Sequence, residues 1–344
     1  MQNRTSILGA LALFIAGPAT TQAAHANSTL IVTASNLPVN QLLIYSASGA
    51  LLKQIPTQGQ GGVGGNSGGI AQDHDRIAVV NFGSASVSVF TKDLEHSTLH
   101  LESVMATNGG PVSVAFGHDH LYVLTTTHIE SHRVGAAGVN PSADGVAHLL
   151  LGDGSAAQVG VLTGQVVITE KSGDIETVGL TGLGAITGAP TLVANGLNAP
   201  FGLATRGNDA YVTIAHANEV SLVRSNKILA EAGSGAQMAP CWVALDGPFL
   251  FSTNSPSHSI SRFVVYGQII TLDAQVVATF NGNPTDIDYS VGMAAVVDAN
   301  GTVSHLSIFS VDEDGSFTLK ANATISTVAT NGVAIVRPDR DLGR

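Results

Sequence analysis

Glu170 and Lys171 stand side by side in the stretch VITEKSGD, and this pair has the residue types for acid–base chemistry. The carboxylate could act as a general base on a water molecule that attacks a carbonyl carbon. The neighbouring ammonium could stabilise the oxyanion that forms. His128 is a third candidate, for proton transfer, because histidine titrates near neutral pH. We therefore expect Glu170, Lys171 and His128 to be catalytic, with a structural ion pair as the alternative for the first two.

Asp286 and Asp288 in the stretch PTDIDY are acids at positions whose counterparts elsewhere in the chain are mostly apolar or small. Burying an acid is costly unless it is hydrated or paired. Asp286 is therefore a candidate for binding a polar ligand, with bound water as the alternative. His216 and Asn254 follow apolar runs like the one before Glu170, and we expect them to contribute to substrate binding.

The only cysteine and the only tryptophan, Cys241 and Trp242, are adjacent in the stretch APCWVALDGP. A thiol beside an aromatic ring suggests a nucleophile next to a substrate platform. Successive side chains of a strand point to opposite faces, so alternation predicts that the two do not act together. We interpret Cys241 as a small buried filler and Trp242 as a platform for a ligand.

The sequence predicts no metal site and no cofactor. His128 and His132, four residues apart in a strand, would share a face but lie about 13 Å apart. The stretches HDHL and DHDR contain metal-ligand residue types, but polar turns explain them. The glycine-rich stretch GQGGVGGNSGG lacks the Gly-Lys-Ser/Thr ending of a phosphate loop. We interpret it as a flexible segment that leads into a strand and covers the mouth of the fold.

A repeat positions all of these residues. An apolar run, a short turn and a second alternating run recur seven times, starting at residues 30, 77, 121, 166, 210, 250 and 294. The intervals of 40 to 47 residues, the period-two alternation and the Gly, Asn and Ser turns predict a β-hairpin in each copy. With one strand before and one after each hairpin, the unit has four strands, as in a propeller blade.

Seven short strands precede or complete these hairpins, and the last of them, NGVAIV from Asn331, has no hairpin after it. The N-terminal copy, in turn, lacks the strand that should come before it. The sequence therefore predicts an all-β fold, a seven-bladed β-propeller with four antiparallel strands per blade. The C-terminal strand joins the N-terminal blade and closes the ring, which removes the free edges of an open array.

The N-terminal stretch MQNRTSILGALALFIAGPATTQAAHANS has a basic residue, a short apolar run and a small-x-small site. These features predict a signal peptide over residues 1–26 and a single propeller domain over residues 27–344. We expect a secreted or extracellular protein, or a periplasmic one in a bacterium, with an uncleaved membrane anchor as the alternative. Sites for N-glycosylation begin at Asn27, Asn300 and Asn322.

Composition narrows the class of partner. The chain has 344 residues, of which 44% are hydrophobic and 11% charged, and its net charge is −11. Nucleic-acid binding needs clustered Lys and Arg, so this balance disfavours it. A single cysteine cannot form an internal disulfide. We expect a monomer with no membrane span and a small-molecule ligand.

Several stretches resemble the lactonase-family seven-bladed propellers, which include 6-phosphogluconolactonase-like and 3-carboxymuconate-cyclase-like proteins. They are GGPVSVAFGHDHLYVLTTT, AAQVGVLTGQVVITEKSGDIETV, NAPFGLAT, APCWVALDGPFLFSTNSPSHSISRFVV and NPTDIDYSVG. The resemblance runs from about Leu30 to Val336 and is most specific for an exported branch of the family. It implies a lactone hydrolase or a muconate-cyclase-type isomerase, with a lactone or small organic or sugar acid as ligand.

The sequence departs from the family at one place. Enzymes of this family use a His-Pro-His stretch near the channel, whereas this chain reads SAAQVGV there, with Gln158 in place of a histidine. The family's catalytic residues therefore do not carry over. A non-catalytic extracellular propeller that binds a small molecule or a protein is the alternative function, and a surface interaction module is a third.

Overall fold

A computed structural model describes residues 29–65, 67–193, 199–301, 303–326 and 330–337. These residues form seven antiparallel sheets that follow one another around a common axis. The predicted signal peptide and the site at Asn27 lie outside the described residues, as does Thr302 of the Asn300 site. The Asn322 site lies on an outermost strand.

Each sheet has an inner strand at the axis, followed outward by a second, a third and an outer strand. The inner strands are β29 (Asn331–Val336), β4 (Ile70–Asp73), β8 (Pro111–Gly117), β13 (Ala156–Val161), β17 (Pro200–Arg206), β21 (Pro240–Asp246) and β25 (Asn283–Ser290), in blades 1 to 7. The second strands are β1 (Leu30–Ala34), β5 (Arg76–Asn81), β9 (His120–Thr125), β14 (Gln165–Glu170), β18 (Asp209–Ile214), β22 (Phe249–Asn254) and β26 (Met293–Asn300).

The remaining strands continue each blade outward in the same order. The third strands are β2 (Gln41–Ser46), β6 (Ser86–Asp93), β10 (His128–Gly135), β15 (Ile175–Leu180), β19 (Glu219–Arg224), β23 (Ser259–Tyr266) and β27 (Val303–Val311). The outer strands are β3 (Leu51–Pro56), β7 (Thr98–Ala106), β11 (Gly138–Val139) with β12 (Gly145–His148), β16 (Ile186–Leu192), β20 (Lys227–Gly233), β24 (Ile269–Thr279) and β28 (Phe317–Ile325). Short 3-10 turns cover Phe82–Ser84 and Ala215–Ala217.

The second strands explain why the repeat is so apolar. They are buried along almost their whole length, because neighbouring blades pack against both of their faces. Strands buried on both faces are encoded by continuous apolar runs rather than by strict alternation. The outer strands β3, β20 and β24 are largely exposed or half-buried.

The ring closes as the sequence predicts. β29 pairs antiparallel with β1, with Ile335 opposite Ile31 and Val333 opposite Thr33. All six residues of β29 are buried. The seven-bladed fold is thus confirmed, and its one variation is blade 3, where β11 and β12 both pair with β10.

A bulge recurs near the start of the inner strands. The register shifts between Pro111 and Ser113, and the same shift occurs at the start of blades 4, 6 and 7. A bulge places one extra residue in the strand and breaks the alternation of side chains. The prediction that Cys241 and Trp242 face apart is therefore wrong, because both side chains line one pocket at the bulge.

None of the helical segments in the described part of the chain has the length and hydropathy needed to cross a membrane.

Candidate ligand-binding site

The first residues of the inner strands converge at one end of the axis, around a cavity of about 230 Å³ that we call the mouth pocket. Its walls come mainly from blades 5, 6, 7 and 1. The side chains that shape it are Phe201, Cys241, Trp242, Ser255, Thr285 and Asn331. Aromatic side chains beside a few polar groups are typical of small-molecule sites.

Trp242 forms the largest apolar wall of this pocket. Its ring meets Phe201 edge to face, with the ring centroids 5.7 Å apart. A Cβ on Gly202 would lie 2.3 Å from the Cys241 carbonyl oxygen and 2.9 Å from Cε3 of Trp242. A glycine is thus needed at position 202 for blade 5 to approach the indole.

Cys241 is held as a neutral thiol. Its Sγ donates to the Ala239 carbonyl oxygen at 3.1 Å, and burial raises the pKa of the thiol. A thiol rather than a thiolate is a weak nucleophile. The geometry therefore agrees with the interpretation of Cys241 as a packing residue.

The glycine-rich stretch crosses the axis beneath the mouth pocket. We call residues 63–65 and 67–69 the strap. Ser67 Oγ donates to Asp286 at 2.5 Å and the Gly68 amide donates to the same carboxylate at 3.3 Å, which ties the strap to blade 7. The Gly68 carbonyl accepts from the Val114 amide at 2.8 Å, which ties it to blade 3. The strap therefore spans the channel between blades 7 and 3, which two other blades separate along the ring.

A second cavity of about 430 Å³ lies below the strap, and we call it the channel cavity. The same inner strands line both cavities in succession. Thr285 of β25 lines the mouth pocket, whereas Asp286 and Asp288 line the channel cavity. Residues 63–65 of the strap lie on the mouth side and Ser67 and Gly68 on the channel side, so the strap separates the two.

Burial governs the charge of the two channel carboxyls. It raises the pKa of Asp286 to about 7, although the hydrogen bond from Ser67 opposes the shift. It raises the pKa of Asp288 to about 6, opposed by hydrogen bonds from the backbone amides of Ile335 and Tyr289. Asp286 thus has a pKa suited to exchanging a proton near neutral pH.

Glu170 lies away from both cavities. It is fully buried, and its carboxylate accepts from the amides of Leu151 and Gly152 at 3.2 and 3.1 Å. Beside it, burial together with the nearby Glu170 raises the pKa of Glu176 to about 9. Both carboxyls lie under the turn at residues 150–152, where the Leu150 amide donates to Glu176 Oε1 at 2.9 Å. Glu176 Oε2 has no hydrogen-bond partner among the described residues.

Lys171 points toward the strap. Its Nζ donates to the carbonyl oxygen of Gly65 at 3.1 Å, and burial lowers the pKa of the ammonium. Gly65 lines the mouth pocket, so this ammonium lies at the rim of that pocket. The side chains of Glu170 and Lys171 thus diverge, one into blade 4 and one toward the axis.

The three other predicted site residues lie apart from the mouth pocket. His128 is in blade 3, with its Nε2 3.2 Å from Nε2 of His148. His216 is exposed in a 3-10 turn. Asn254 is buried within blade 6, where its Nδ2 donates to Ser261 Oγ at 2.8 Å.

The structure therefore brings together Trp242, Lys171 and Asp286 around the axis, and it places Glu170, His128, His216 and Asn254 elsewhere. The catalytic and binding roles of all seven residues stay predictions. Two contributors were not foreseen from the sequence. Phe201 could have been found, because PFG occupies the register of PCW in the next blade. Ser67 gives no such signal, because its partner Asp286 is 219 residues away.

Comparison with known proteins gives a likeness in structure only. Neither a family model nor a curated protein matches this sequence. The periplasmic gluconolactonase of Pseudomonas aeruginosa superposes with a TM-score of 0.66 over 90% of this chain and 99% of its own, at 14% identity. A protein of Bacteroides fragilis, provisionally assigned as a 6-phosphogluconolactonase, superposes with a TM-score of 0.64 over 93% of this chain and 100% of its own, also at 14% identity. These likenesses establish the fold, and one fold hosts many functions.

Proposed function

We propose that the chain is a lactonase-like propeller that binds a small lactone, or the hydroxy acid to which it opens, in the mouth pocket. The observation that carries this proposal is the pocket itself, with Trp242 and Phe201 on one side and polar side chains on the other. The solved structures that share the fold include a gluconolactonase, which favours a lactone over other ligands of this size.

The polar side of the pocket supports an oxygen-rich ligand. Asn331 Nδ2 and Thr330 Oγ1 are buried, and neither has a hydrogen-bond partner among the described residues. Both residues line the mouth pocket. A buried polar atom without a partner costs free energy, and a ligand carbonyl or hydroxyl would offset that cost. The C–H face of a small ring would lie on the indole of Trp242.

Ring opening would use two groups near the axis. Water attacks the carbonyl carbon, and its proton would have to move past the strap to Asp286, which lines the channel cavity on the other side of the strap. The pKa of Asp286, about 7, matches the task. The Lys171 ammonium stabilises the tetrahedral oxyanion. The acyl C–O bond then breaks, and the leaving alkoxide takes the proton from Asp286. A cyclase-type isomerase would instead add a carboxylate oxygen of the substrate to one carbon of a C=C bond, while the other carbon takes a proton from the protonated Asp286. Glu170 has no part in this scheme, because both of its oxygens hold the 150–152 turn.

Export is a further part of the proposal. The N-terminal stretch has the pattern of a signal peptide, and the Pseudomonas aeruginosa neighbour is periplasmic. We infer a secreted monomer, or a periplasmic one in a bacterium. Fractionation of cells expressing the full chain, with mass spectrometry of the mature N-terminus, should find cleavage near residue 27. Full-length protein in the cytosol would contradict export.

A second function is favoured by the positions of Glu170 and His128, which contact neighbours inside their blades rather than the pocket. In that case the chain binds a small molecule in the mouth pocket without turning it over.

One pair of measurements separates the two. Because Trp242 is the only tryptophan, its fluorescence reports directly on the mouth pocket. A panel of sugar-acid and aliphatic lactones should quench it with saturation, and a pH indicator should show acid release that falls in Asp286→Asn. Asp273→Asn, at a half-exposed acid on the outer strand of blade 6, is the matched control and should release acid at the rate of the unmodified chain. Quenching without acid release would favour the binding function. No saturable change with any compound would contradict both.

A further inference from the structure

Two histidines meet across the edge of blade 3, far from the mouth pocket. β10 and β12 pair antiparallel, and the register places His128 directly opposite His148. Directly opposed residues in an antiparallel pair have side chains close enough to touch. Their Nε2 atoms are 3.2 Å apart and their ring centroids 3.9 Å apart.

The ring of His128 is held in place from the other side. Its Nδ1 lies 2.8 Å from Thr127 Oγ1, and its backbone amide donates to Thr125 Oγ1 at 3.0 Å. A proton on Nδ1 that is donated to Thr127 leaves Nε2 with a lone pair beside the ring of His148, and a small rotation of the exposed His148 ring would bring the two lone pairs onto one ion. A hydrogen bond to the distal nitrogen is the usual way in which a metal-binding histidine is oriented. His148 is exposed, so the point between the two rings is open to solvent.

Two imidazolium ions at this distance would repel each other. Neutral imidazole is the form that ligates metal ions.

We propose that His128 and His148 form a two-histidine site for a divalent first-row metal ion, namely Zn²⁺, Cu²⁺ or Ni²⁺. These are the ions that imidazole nitrogen prefers. With metal–nitrogen bonds of about 2.0–2.1 Å, a separation of 3.2 Å gives an N–metal–N angle of about 100–106°. That angle lies just below the tetrahedral value. No group of three or more His, Cys, Asp or Glu ligands occurs within the described ranges, so water completes the coordination.

Glu130, the carboxylate closest along the strand, does not act as a ligand. Its oxygens accept from the Asn108 amide at 2.7 Å and contact Nε2 of His132 at 3.2 Å, and the side chain is buried. It holds β10 against the preceding blade. The metal would instead join β10 to β12, since each strand supplies one ligand.

A second histidine cluster shows by contrast why this pair is a metal site. His96 and His100 both direct a ring nitrogen at Asp93, at 2.9 and 3.1 Å. A carboxylate accepts from both rings, so hydrogen bonding accounts for that cluster completely. At His128 and His148 two ring nitrogens meet with no carboxylate bonded to either Nε2, so this contact can be made by a hydrogen bond between the rings or by a bridging metal.

Calorimetric titration of the full chain, prepared without a histidine tag, tests the proposal with ZnCl₂ and with CuCl₂. We expect one saturable site. Loss of a ligand should cost at least as much as loss of an outer-shell partner, so His148→Gln and His128→Gln should weaken binding about tenfold or more. His96→Gln, at an exposed histidine of the other cluster, is the matched control and should leave the affinity unchanged.

Electron paramagnetic resonance of the Cu²⁺ form provides an independent readout, and two equatorial imidazole nitrogens are expected. Circular dichroism of each variant confirms that it is folded, which is expected for His148 because it is exposed. Equal affinity in the unmodified chain and His148→Gln, or the absence of saturable binding, would overturn the proposal and leave a shared proton between the rings. Lactone binding at Trp242 is unaffected by either outcome, so the two proposals fail separately.

Discussion

Two pairs of carboxyls, of which three members are buried and Asp288 is half-buried, lie in different blades and do different work. In blade 7, Asp286 and Asp288 face the channel, and in blade 4, Glu170 and Glu176 lie beneath a turn. Burial raises the pKa of three of the four: Asp286, Asp288 and Glu176. In blade 7, Asp286 accepts a hydrogen bond from the strap and Asp288 accepts one from β29. The blade 4 carboxyls both hold one local turn.

The difference shows that the role of a buried acid depends on which amides it meets. Asp286 accepts from Ser67, which is 219 positions away in the sequence, and Asp288 accepts from Ile335, which is 47 positions away. This pair therefore holds blade 7 to the strap and to the closing strand. Glu170 accepts from backbone amides that are at most 19 positions away in the sequence. The first pair therefore supports the ring and the second pair supports a loop.

Removing the strand that Asp288 holds should have the largest effect. A chain ending at residue 330 lacks β29, whose six residues are all buried. Loss of Val333, Ile335 and Val336 from the core costs about 1.5–3 kcal/mol each, which is comparable with the whole stability of a domain. We expect no cooperative thermal transition by circular dichroism. A chain ending at residue 337 keeps β29 and should melt normally. A cooperative melt of the shorter chain would contradict the role of β29 in closure.

Asp286→Asn should change the pH dependence of stability. The pKa of Asp286 rises from 3.8 unfolded to about 7 folded, so the folded state binds the proton more tightly. The free energy of unfolding therefore falls as pH rises from about 4 to 7, and Asp288 adds to the fall up to about 6. In the asparagine variant, the part of this pH-dependent fall that is due to Asp286 should be absent.

Urea denaturation of Asp286→Asn at pH 4.5, 6 and 7.5 measures this slope. The variant should also be less stable at pH 4.5. Asp286 accepts a hydrogen bond from the backbone N–H of Gly68, and the side-chain NH₂ of asparagine would face that donor instead. Asp273→Asn, at a half-exposed acid of blade 6, serves as control and should keep the slope. Parallel slopes for the unmodified chain and Asp286→Asn would contradict the raised pKa.

Glu176→Gln should act in a different pH window. The pKa of Glu176 rises from 4.5 to about 9, so its contribution to the free energy of unfolding declines as pH rises from about 4.5 through 9. Glutamine is neutral like the protonated acid, and its Oε1 can accept from the Leu150 amide as Glu176 Oε1 does. We expect the variant to keep its stability between pH 7.5 and 9.5, where the unmodified chain loses it.

Thermal melts across pH 6 to 9.5 test this expectation. Glu231→Gln, at an exposed position, should behave as the unmodified chain. Because Asp286, with a pKa of about 7, is mostly ionised by pH 8, Asp286→Asn should still lose stability above that pH through Glu176. A melt of Glu176→Gln that declines in step with the unmodified chain would contradict the raised pKa of Glu176.

The fold could be predicted from the sequence because every blade repeats the same apolar second strand. The closing strand could be predicted from NGVAIV, which has no hairpin of its own. The contacts of Glu170 could not, because they depend on a turn that brings Leu151 and Gly152 over it. The partner of His128 was also hidden, since His148 lies 20 residues away on a strand that only the fold pairs with β10.

Alternation failed at the site for a local reason. A bulge near the start of β21 places Cys241 and Trp242 on one pocket, and a bulge leaves no period in the sequence. Residues at the start of an inner strand are therefore the ones for which strand periodicity is least informative, and they are also the ones that line the mouth pocket.

Ser67→Ala should have the smallest effect, and it separates the strap from the charge of Asp286. The hydrogen bond from Ser67 opposes the rise in the pKa of Asp286, so its removal should raise that pKa further and move the loss of stability to higher pH. Removing a hydrogen bond to a charged group costs about 1.5–3 kcal/mol. Because the strap also borders the mouth pocket, the emission of Trp242 should shift in Ser67→Ala and stay constant in Glu176→Gln. An unchanged spectrum in both would mean that the strap and the pocket wall are independent, and that the two carboxyl pairs differ only in what they fasten.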